Sequence, residues 1–297
     1  MQFQQRPRVH IAAAISVFVI SIVWILFASP VLANSFGVYS SLIGELFFLF
    51  ISLIAVIISR VPLGNVLKTE RIRFRHIAGV FVLYIGANYL VSGITVIMQI
   101  LFPLEMAELS IRMAEQISNM QLWQGLLIIG ISAAVCEEIM CRGVLLNSLS
   151  GIKSKGLIIA IMGILFGILH LDPFRFFITG ILGAVLTYIM LETQNIFMPI
   201  LYHFVNNTVS VIASNSIDAS SLGDIFAGVD IAAKMSNFVM LVYAAAAPFI
   251  IFLGVLLIRR DREKSPEKRK KNKRLLIASA VISAVFVSAG IAYMVFG

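Results

Sequence analysis

Residues 122–141 read LWQGLLIIGISAAVCEEIMC. This run is almost continuously apolar and is about as long as one helix must be to cross the hydrocarbon core of a bilayer. Its apolar and polar side chains do not alternate, which excludes a strand of a membrane barrel. Two acidic side chains, Glu137 and Glu138, lie near its end, where an ionisable group is expensive and marks a candidate functional residue. The run therefore predicts a membrane-spanning helix that carries chemistry.

The rest of the chain has the same apolar character. Of its 297 residues, 60% are hydrophobic and 13% are charged, whereas soluble domains are about 45–50% apolar and about 25% charged. This composition excludes a soluble enzyme, a disordered segment and a secreted disulfide scaffold. The two cysteines, Cys136 and Cys141, lie inside the apolar run quoted above, so they predict no disulfide framework.

Windows of about 19 residues identify nine candidate spans. These spans are Ile11–Leu32, Ser41–Ile58, Ile77–Leu101, Leu122–Cys141, Leu157–His170, Phe176–Leu191, Ile196–Ser214, Asn237–Ile258 and Leu275–Phe296. We therefore predict an all-α fold, a polytopic transmembrane helix bundle of eight to nine spans. We divide the chain into N-terminal transmembrane helices (1–116), a core that holds the chemistry (117–215) and C-terminal transmembrane helices (216–297).

The basic residues sort to one side of these spans. With the N-terminus in the cytoplasm, the inner segments hold 20 of the 23 Lys and Arg residues. This positive-inside pattern, with nine spans, places a multi-pass protein in the cell membrane with its C-terminus outside. The basic loop 259–274 is a short tether between two spans, so we expect it to lie near anionic lipid rather than to bind nucleic acid. The apolar part of residues 1–33 is long for a signal peptide, which favours an uncleaved anchor.

Few ionisable or amide side chains fall within the predicted spans, and each is a candidate functional residue by default. Those expected to face the interior of the bundle are Glu137, His170, His203 and Asn207, whereas Glu138 is turned about 100° away from Glu137. Glu137 shares a helix face with Gly130 and Ala134, and faces of small residues are where membrane helices approach closely. Glu45 is instead expected to lie at the membrane interface, because it is near the outer end of the second span.

Helical spacing relates several of these side chains to one another. Glu138 precedes Arg142 by four residues, which is the favourable spacing for an ion pair within a helix. His203 and Asn207 are one turn apart and can address one target together. The fourth helix has to extend to about Leu149 to bring its acidic residues to the depth of the other polar groups.

A carboxylate, two imidazoles and an amide are suited to the hydrolysis of an amide bond. A desolvated glutamate can act as a general base on water, while histidine and asparagine side chains can donate hydrogen bonds to the oxyanion. Three other interpretations stay open. The polar residues can be hydrogen-bonding contacts between helices, Cys141 can be a nucleophile, or Glu137, His170 and His203 can converge on a zinc ion.

Three short motifs occur in order, each on its own predicted span. They are Glu137-Glu138-x-x-x-Arg142, Phe166-x-x-x-His170 and His203-x-x-x-Asn207. Together they resemble the motifs of the CAAX protease and bacteriocin-processing family (CPBP, or ABI), which is similar to intramembrane glutamic endopeptidases. The resemblance covers about residues 117–215, and the motif residues show no departure from the family pattern.

The resemblance implies roles for the motif residues in a hydrolase that uses no cofactor. Glu137 would be the general base on water, and His170 would assist it. His203 and Asn207 would form the oxyanion site. The supporting residues would be Glu138 and Arg142.

The resemblance also implies the partners of the protein. Its substrate would be a membrane-associated peptide or a lipid-modified protein, which in eukaryotic relatives is a prenylated C-terminal CAAX tail. Membrane lipid would be its other partner, and nucleic acid would not be one. Two alternatives remain: a non-catalytic scaffold or bacteriocin-immunity protein, and a zinc-dependent membrane protease that uses the same residues.

Overall fold

The computed structural model describes residues 7–216, 231–259 and 266–296 of the chain. Ten long helices make up most of these residues: α1 Ile11–Phe36, α2 Tyr39–Ile58, α3 Phe74–Leu101, α4 Pro103–Ser118, α5 Leu122–Ser148, α6 Lys155–Leu169, α7 Pro173–Thr193, α8 Phe197–Ser216, α9 Ile231–Ile258 and α10 Pro266–Phe296. Within these three described ranges there is no strand, only an isolated bridge between Thr69 and Asn195. The predicted all-α fold is therefore confirmed.

Six described helices are long and apolar enough to cross a membrane, namely α1, α2, α3, α5, α7 and the Phe238–Ile258 part of α9. These helices agree with a multi-pass membrane protein. The predicted count of eight to nine spans is not confirmed. Helix α6 is apolar but has only 15 residues, and α8 and α10 are not among the six.

Some predicted features lie outside the described residues. Arg6 of the N-terminal tail is one of them, and so are 217–230 of the predicted outer loop and 260–265 of the basic loop. The orientation of the chain in the membrane and the three-part division at 116 and 215 stay predictions.

The helices group into two compact units, and the motifs of the sequence lie in one of them. The second unit comprises 72–113 and the described residues after 230. In it α3 packs along α9, and glycines at seven-residue intervals on α3 face α9, which allows a close approach of the two helices: Gly79, Gly86 and Gly93. Arg75 at the start of α3 donates hydrogen bonds to the carbonyl groups of Leu257 and Arg259.

The first unit comprises 7–71 and 114–216 and contains α1, α2 and α5 to α8. Four segments that the charge pattern places on one side of the membrane meet at one end of this unit. The amide of Val9 donates to Asn147 Oδ1, 2.8 Å away, and Asn147 Nδ2 donates to the Asn65 carbonyl at 2.9 Å. The amide of Ile196 donates to the Lys68 carbonyl at 2.8 Å. This shared end agrees with the predicted grouping of the inner loops.

Helix α5 carries the two acidic residues of the first motif through the middle of the first unit. It continues to Ser148, which agrees with the predicted extension of this helix to about Leu149. Its α-helical part Ala133–Glu138 is flanked by π-helical turns at Leu126–Ser132 and Ile139–Leu145. Such turns often occur at functional sites, and here they change the angular positions that an ideal helix would give to its side chains.

Candidate active site

The second glutamate of the pair on α5 forms the ion pair that its spacing predicted. Arg142 Nη1 donates to Glu138 Oε1 at 2.8 Å, and both side chains are completely buried. Arg142 Nη2 also donates to the carbonyl of Gly183 on α7 at 2.7 Å. An unpaired charge would be very unfavourable at this depth, so Glu138 and Arg142 neutralise each other while they tie α5 to α7.

The ring of Phe166 on α6 contacts residues of all three motifs. The guanidinium carbon of Arg142 lies 4.8 Å from its ring centroid, within the range of a cation–π interaction. The imidazole rings of His170 and His203 lie 5.1 and 5.8 Å from the same centroid. The aromatic residue of the second motif is therefore a structural centre of the site.

His203 on α8 reaches the same carboxylate as Arg142. Its Nδ1 lies 3.0 Å from Glu138 Oε1, and the residue is only 3% exposed. A carboxylate that is paired with arginine can only accept hydrogen bonds. His203 Nδ1 therefore carries a hydrogen and donates it, which fixes the ring and leaves Nε2 as its second functional nitrogen.

Glu137 lies beside this cluster rather than within its hydrogen bonds. It interacts electrostatically with His203, Arg142 and Arg175, so the first motif and the third meet at its carboxylate. No hydrogen bond joins Glu137 to His170 among the described residues. The ring of His170 is held at Nδ1, which lies 2.9 Å from the Phe166 carbonyl. Since a carbonyl only accepts, Nδ1 donates, and Nε2 of a neutral His170 is an acceptor.

Asn207 is anchored one turn after His203. Its Nδ2 donates to the Ile129 carbonyl of α5 at 2.9 Å, and its Oδ1 accepts from Asn206 Nδ2 at 3.3 Å. An amide nitrogen carries two hydrogens, so one hydrogen of Asn207 remains for another acceptor. The predicted pair His203 and Asn207 thus lies on the face of α8 that packs against α5.

Residues 119–209 match a family model described as Rce1-like, type II CAAX prenyl endopeptidase Rce1-like. The resemblance to the CAAX protease family is confirmed. All three motifs lie within the matched residues, which we call the CAAX protease segment. No curated protein and no solved structure is significantly similar to the chain.

Two ionisable residues that interact with Glu137 were not recognised from the sequence. Glu45 of α2, which lies outside the CAAX protease segment, interacts directly with Glu137 through its carboxyl group. Its position near the membrane interface stays a prediction, and its Oε2 is buried. Arg175, in the first turn of α7, interacts with Glu137 and Asp172. The available signal for Glu45 was that it is the only ionisable residue in a long apolar run.

The remaining candidates of the CAAX protease segment concern thiol and metal chemistry. Cys136 and Cys141 are free and buried, and Cys141 is 1% exposed. In the part of the chain that the structure describes, no three His, Cys, Asp or Glu side chains are arranged to hold a metal ion. The proposed ligand set of Glu137, His170 and His203 therefore has no geometric support, and metal independence stays a prediction.

Proposed function

We propose that the protein is an intramembrane endopeptidase that hydrolyses a peptide bond of a membrane-associated, CAAX-like peptide. The observation that carries the proposal is the contact of 3.0 Å between His203 and Glu138, which joins two distant motifs at a buried site. The match of the CAAX protease segment supports the hydrolase class. Polar contacts that only hold membrane helices together stabilise them by about 0.6 kcal/mol on average. This stabilisation is small compared with the cost of burying so many polar groups.

In this proposal Glu137 is the general base. It takes a proton from water while the water oxygen attacks the carbonyl carbon of the scissile peptide bond. His170, with Nε2 as an acceptor, assists in orienting that water. The proton is then delivered to the leaving amine as the carbon–nitrogen bond breaks, so Glu137 is regenerated as a carboxylate.

The negative charge that develops on the carbonyl oxygen needs fixed donors. In the proposal these donors are His203 Nε2 and the second amide hydrogen of Asn207. Because His203 Nδ1 already donates to Glu138, a donor at Nε2 requires the doubly protonated ring. Glu138 is then its counter-ion, which gives a chemical role to the residue that also pairs with Arg142.

The decisive experiment is peptide cleavage by purified protein in liposomes. The probe is a fluorogenic peptide in which a prenylated cysteine is the fourth residue from a free C-terminus. Glu137→Gln keeps the size of the side chain but cannot take a proton, so we expect turnover to be nearly abolished while the peptide still binds. Glu115→Gln makes the same chemical change on an exposed side chain and is the matched control. Wild-type turnover by Glu137→Gln would refute the proposal.

Two variants of the assay separate the alternatives. A scaffold or immunity protein would show no turnover in the wild type, and its partner binding would be insensitive to Glu137→Gln. A zinc protease would lose turnover in the presence of a chelator and regain it with zinc. A thiol enzyme would be inactive as Cys141→Ala, whereas the present proposal expects that variant to cleave.

A further inference from the structure

Helix α2 brings a carboxyl group to the proposed base. It packs against the segments of α5 that contain Glu137, and Glu45 on α2 interacts directly with the Glu137 carboxyl group. Glu45 Oε2 is buried and has no hydrogen-bond partner. The CAAX protease segment begins at residue 119, well after Glu45, so neither the motifs nor the family model assigns this residue a role.

Two adjacent carboxylates away from water cannot both be ionised without a large energetic cost. Arg142 does not remove this cost, because its charge is already paired with Glu138. A single proton held between Glu45 and Glu137 would remove one charge and give an unpartnered buried oxygen a hydrogen-bonding role. Paired carboxyl groups that share one proton are a recurrent way to keep one member ionised as a base.

Other titratable groups surround the pair and set where the proton resides. On α5 these groups are Cys136, Glu138, Cys141 and Arg142; on α7 the group is Arg175; on α8 it is His203. The guanidinium group of Arg175 interacts with Glu137. It favours the negative charge on Glu137, which leaves the proton for Glu45.

We propose that Glu45 holds this proton and donates a hydrogen bond to ionised Glu137, and so positions the general base. Glu45 acts through Glu137 and does not touch the substrate, so it is a positioning residue. The role of Glu137 as base rests on the proposed function. The shared proton does not, because it follows from the direct interaction of the two carboxyl groups and the buried Oε2 of Glu45.

Infrared spectroscopy of the full chain in liposomes tests the shared proton without any substrate. At neutral pH we expect the wild type to show the carbonyl stretch of a protonated carboxylic acid, and Glu45→Gln to lack it. The absence of this band from the wild type would overturn the proposal. A band of unchanged intensity in Glu45→Gln would also overturn it, because the proton would then reside elsewhere.

Peptide cleavage tests the positioning role with two variants of the same residue. Glu45→Gln keeps a donor for Glu137, whereas Glu45→Leu keeps the volume and removes the donor. We expect kcat to fall about 10–100-fold for Glu45→Leu with little change in KM, and to fall less for Glu45→Gln. Thermal unfolding of both variants near the wild-type temperature shows that the fold is kept. Equal kcat values in the two variants would overturn the positioning role.

The two measurements distinguish the inference from the proposed function. If the wild type shows the band but cleaves no peptide, the shared proton is supported and the proposed function is refuted. If the wild type cleaves the peptide but lacks the band, the proposed function is supported and the shared proton is refuted.

Discussion

His203 Nδ1 lies 3.0 Å from Glu138 Oε1, the same oxygen that Arg142 Nη1 contacts at 2.8 Å. One buried carboxylate oxygen therefore accepts hydrogen bonds from two helices. The contact joins the third motif to the first, and it leaves Nε2 as the second functional nitrogen of His203. Charge-assisted hydrogen bonds of this kind are shorter and stronger than neutral ones, so the imidazole has a fixed orientation before substrate arrives.

His203→Ala removes the proposed oxyanion donor while Glu138 stays paired with Arg142. We expect kcat for the prenylated peptide to fall about 10²–10³-fold, the usual loss for one oxyanion donor. The free energy of unfolding should change much less, because no buried charge loses its partner. Steady-state kinetics together with thermal unfolding check both parts. Unchanged kcat in a folded His203→Ala protein would contradict the oxyanion role.

Arg142→Ala leaves the Glu138 carboxylate without its principal cation in a fully buried position. Breaking a buried ion pair by removing one partner costs about 3–5 kcal/mol. We therefore expect lower abundance in the membrane and a lower unfolding temperature, as well as lost activity. A variant with wild-type stability and activity would refute this prediction.

The matched control for Arg142→Ala replaces both partners. Glu138→Leu with Arg142→Met removes both charges and retains apolar volume, so it should destabilise the protein less than the single change. Activity should still be lost, because His203 no longer has a counter-ion. A double variant that is less stable than Arg142→Ala would show that the pair does not act through its charges.

The Glu138–Arg142 pair could be predicted because its partners are four residues apart on one helix, where local geometry decides the contact. The meeting of the three motifs could be predicted from their order and from the expense of intramembrane polar groups. The direct contact of His203 with Glu138 could not, because it depends on how α8 crosses α5. Spacing gives a residue its helix face, but it does not give the identity of the helix that packs there.

Glu45 also shows that the sequence does not identify which helices pack together. Position along an apolar run placed it near a membrane surface, whereas packing of α2 on α5 brings its carboxyl group to Glu137. The predicted number of spans was not confirmed, and windows of hydropathy do not distinguish a short helix such as α6 from a full span. Hydropathy alone gives neither the contacts of Glu45 nor the length of α6.

Gly183 on α7 faces Phe166 of α6, the residue whose ring contacts all three motifs. A Cβ at this position would lie 2.5 Å from Phe166 Cβ, an approach that real side chains do not make. Because Phe166 contacts Arg142, His170 and His203, we expect Gly183→Ala to displace the ring and to lower kcat. Overpacking of this kind costs about 1–3 kcal/mol, which thermal unfolding would detect.

Gly180 provides the control for Gly183, since it is one turn away on the same helix. A Cβ there would meet the Gly163 carbonyl oxygen at 3.4 Å, an ordinary contact. Gly180→Ala should therefore keep both stability and turnover near those of the wild type. Equal losses in the two variants would show that the effect of Gly183→Ala is not transmitted through Phe166.

Asn207→Asp tests the second oxyanion donor through charge rather than size. The substitution removes the amide that donates to the Ile129 carbonyl and sets a carboxylate beside the oxygen that becomes negative during hydrolysis. Like charges at short distance raise the energy of the transition state, so kcat should fall further than in the neutral variant Asn207→Ala. The measurement is kcat for the prenylated peptide in liposomes at one pH, with folded protein confirmed by thermal unfolding. If Asn207→Asp cleaves as fast as Asn207→Ala, no negative charge develops near this side chain, and Asn207 has to be removed from the proposed oxyanion site.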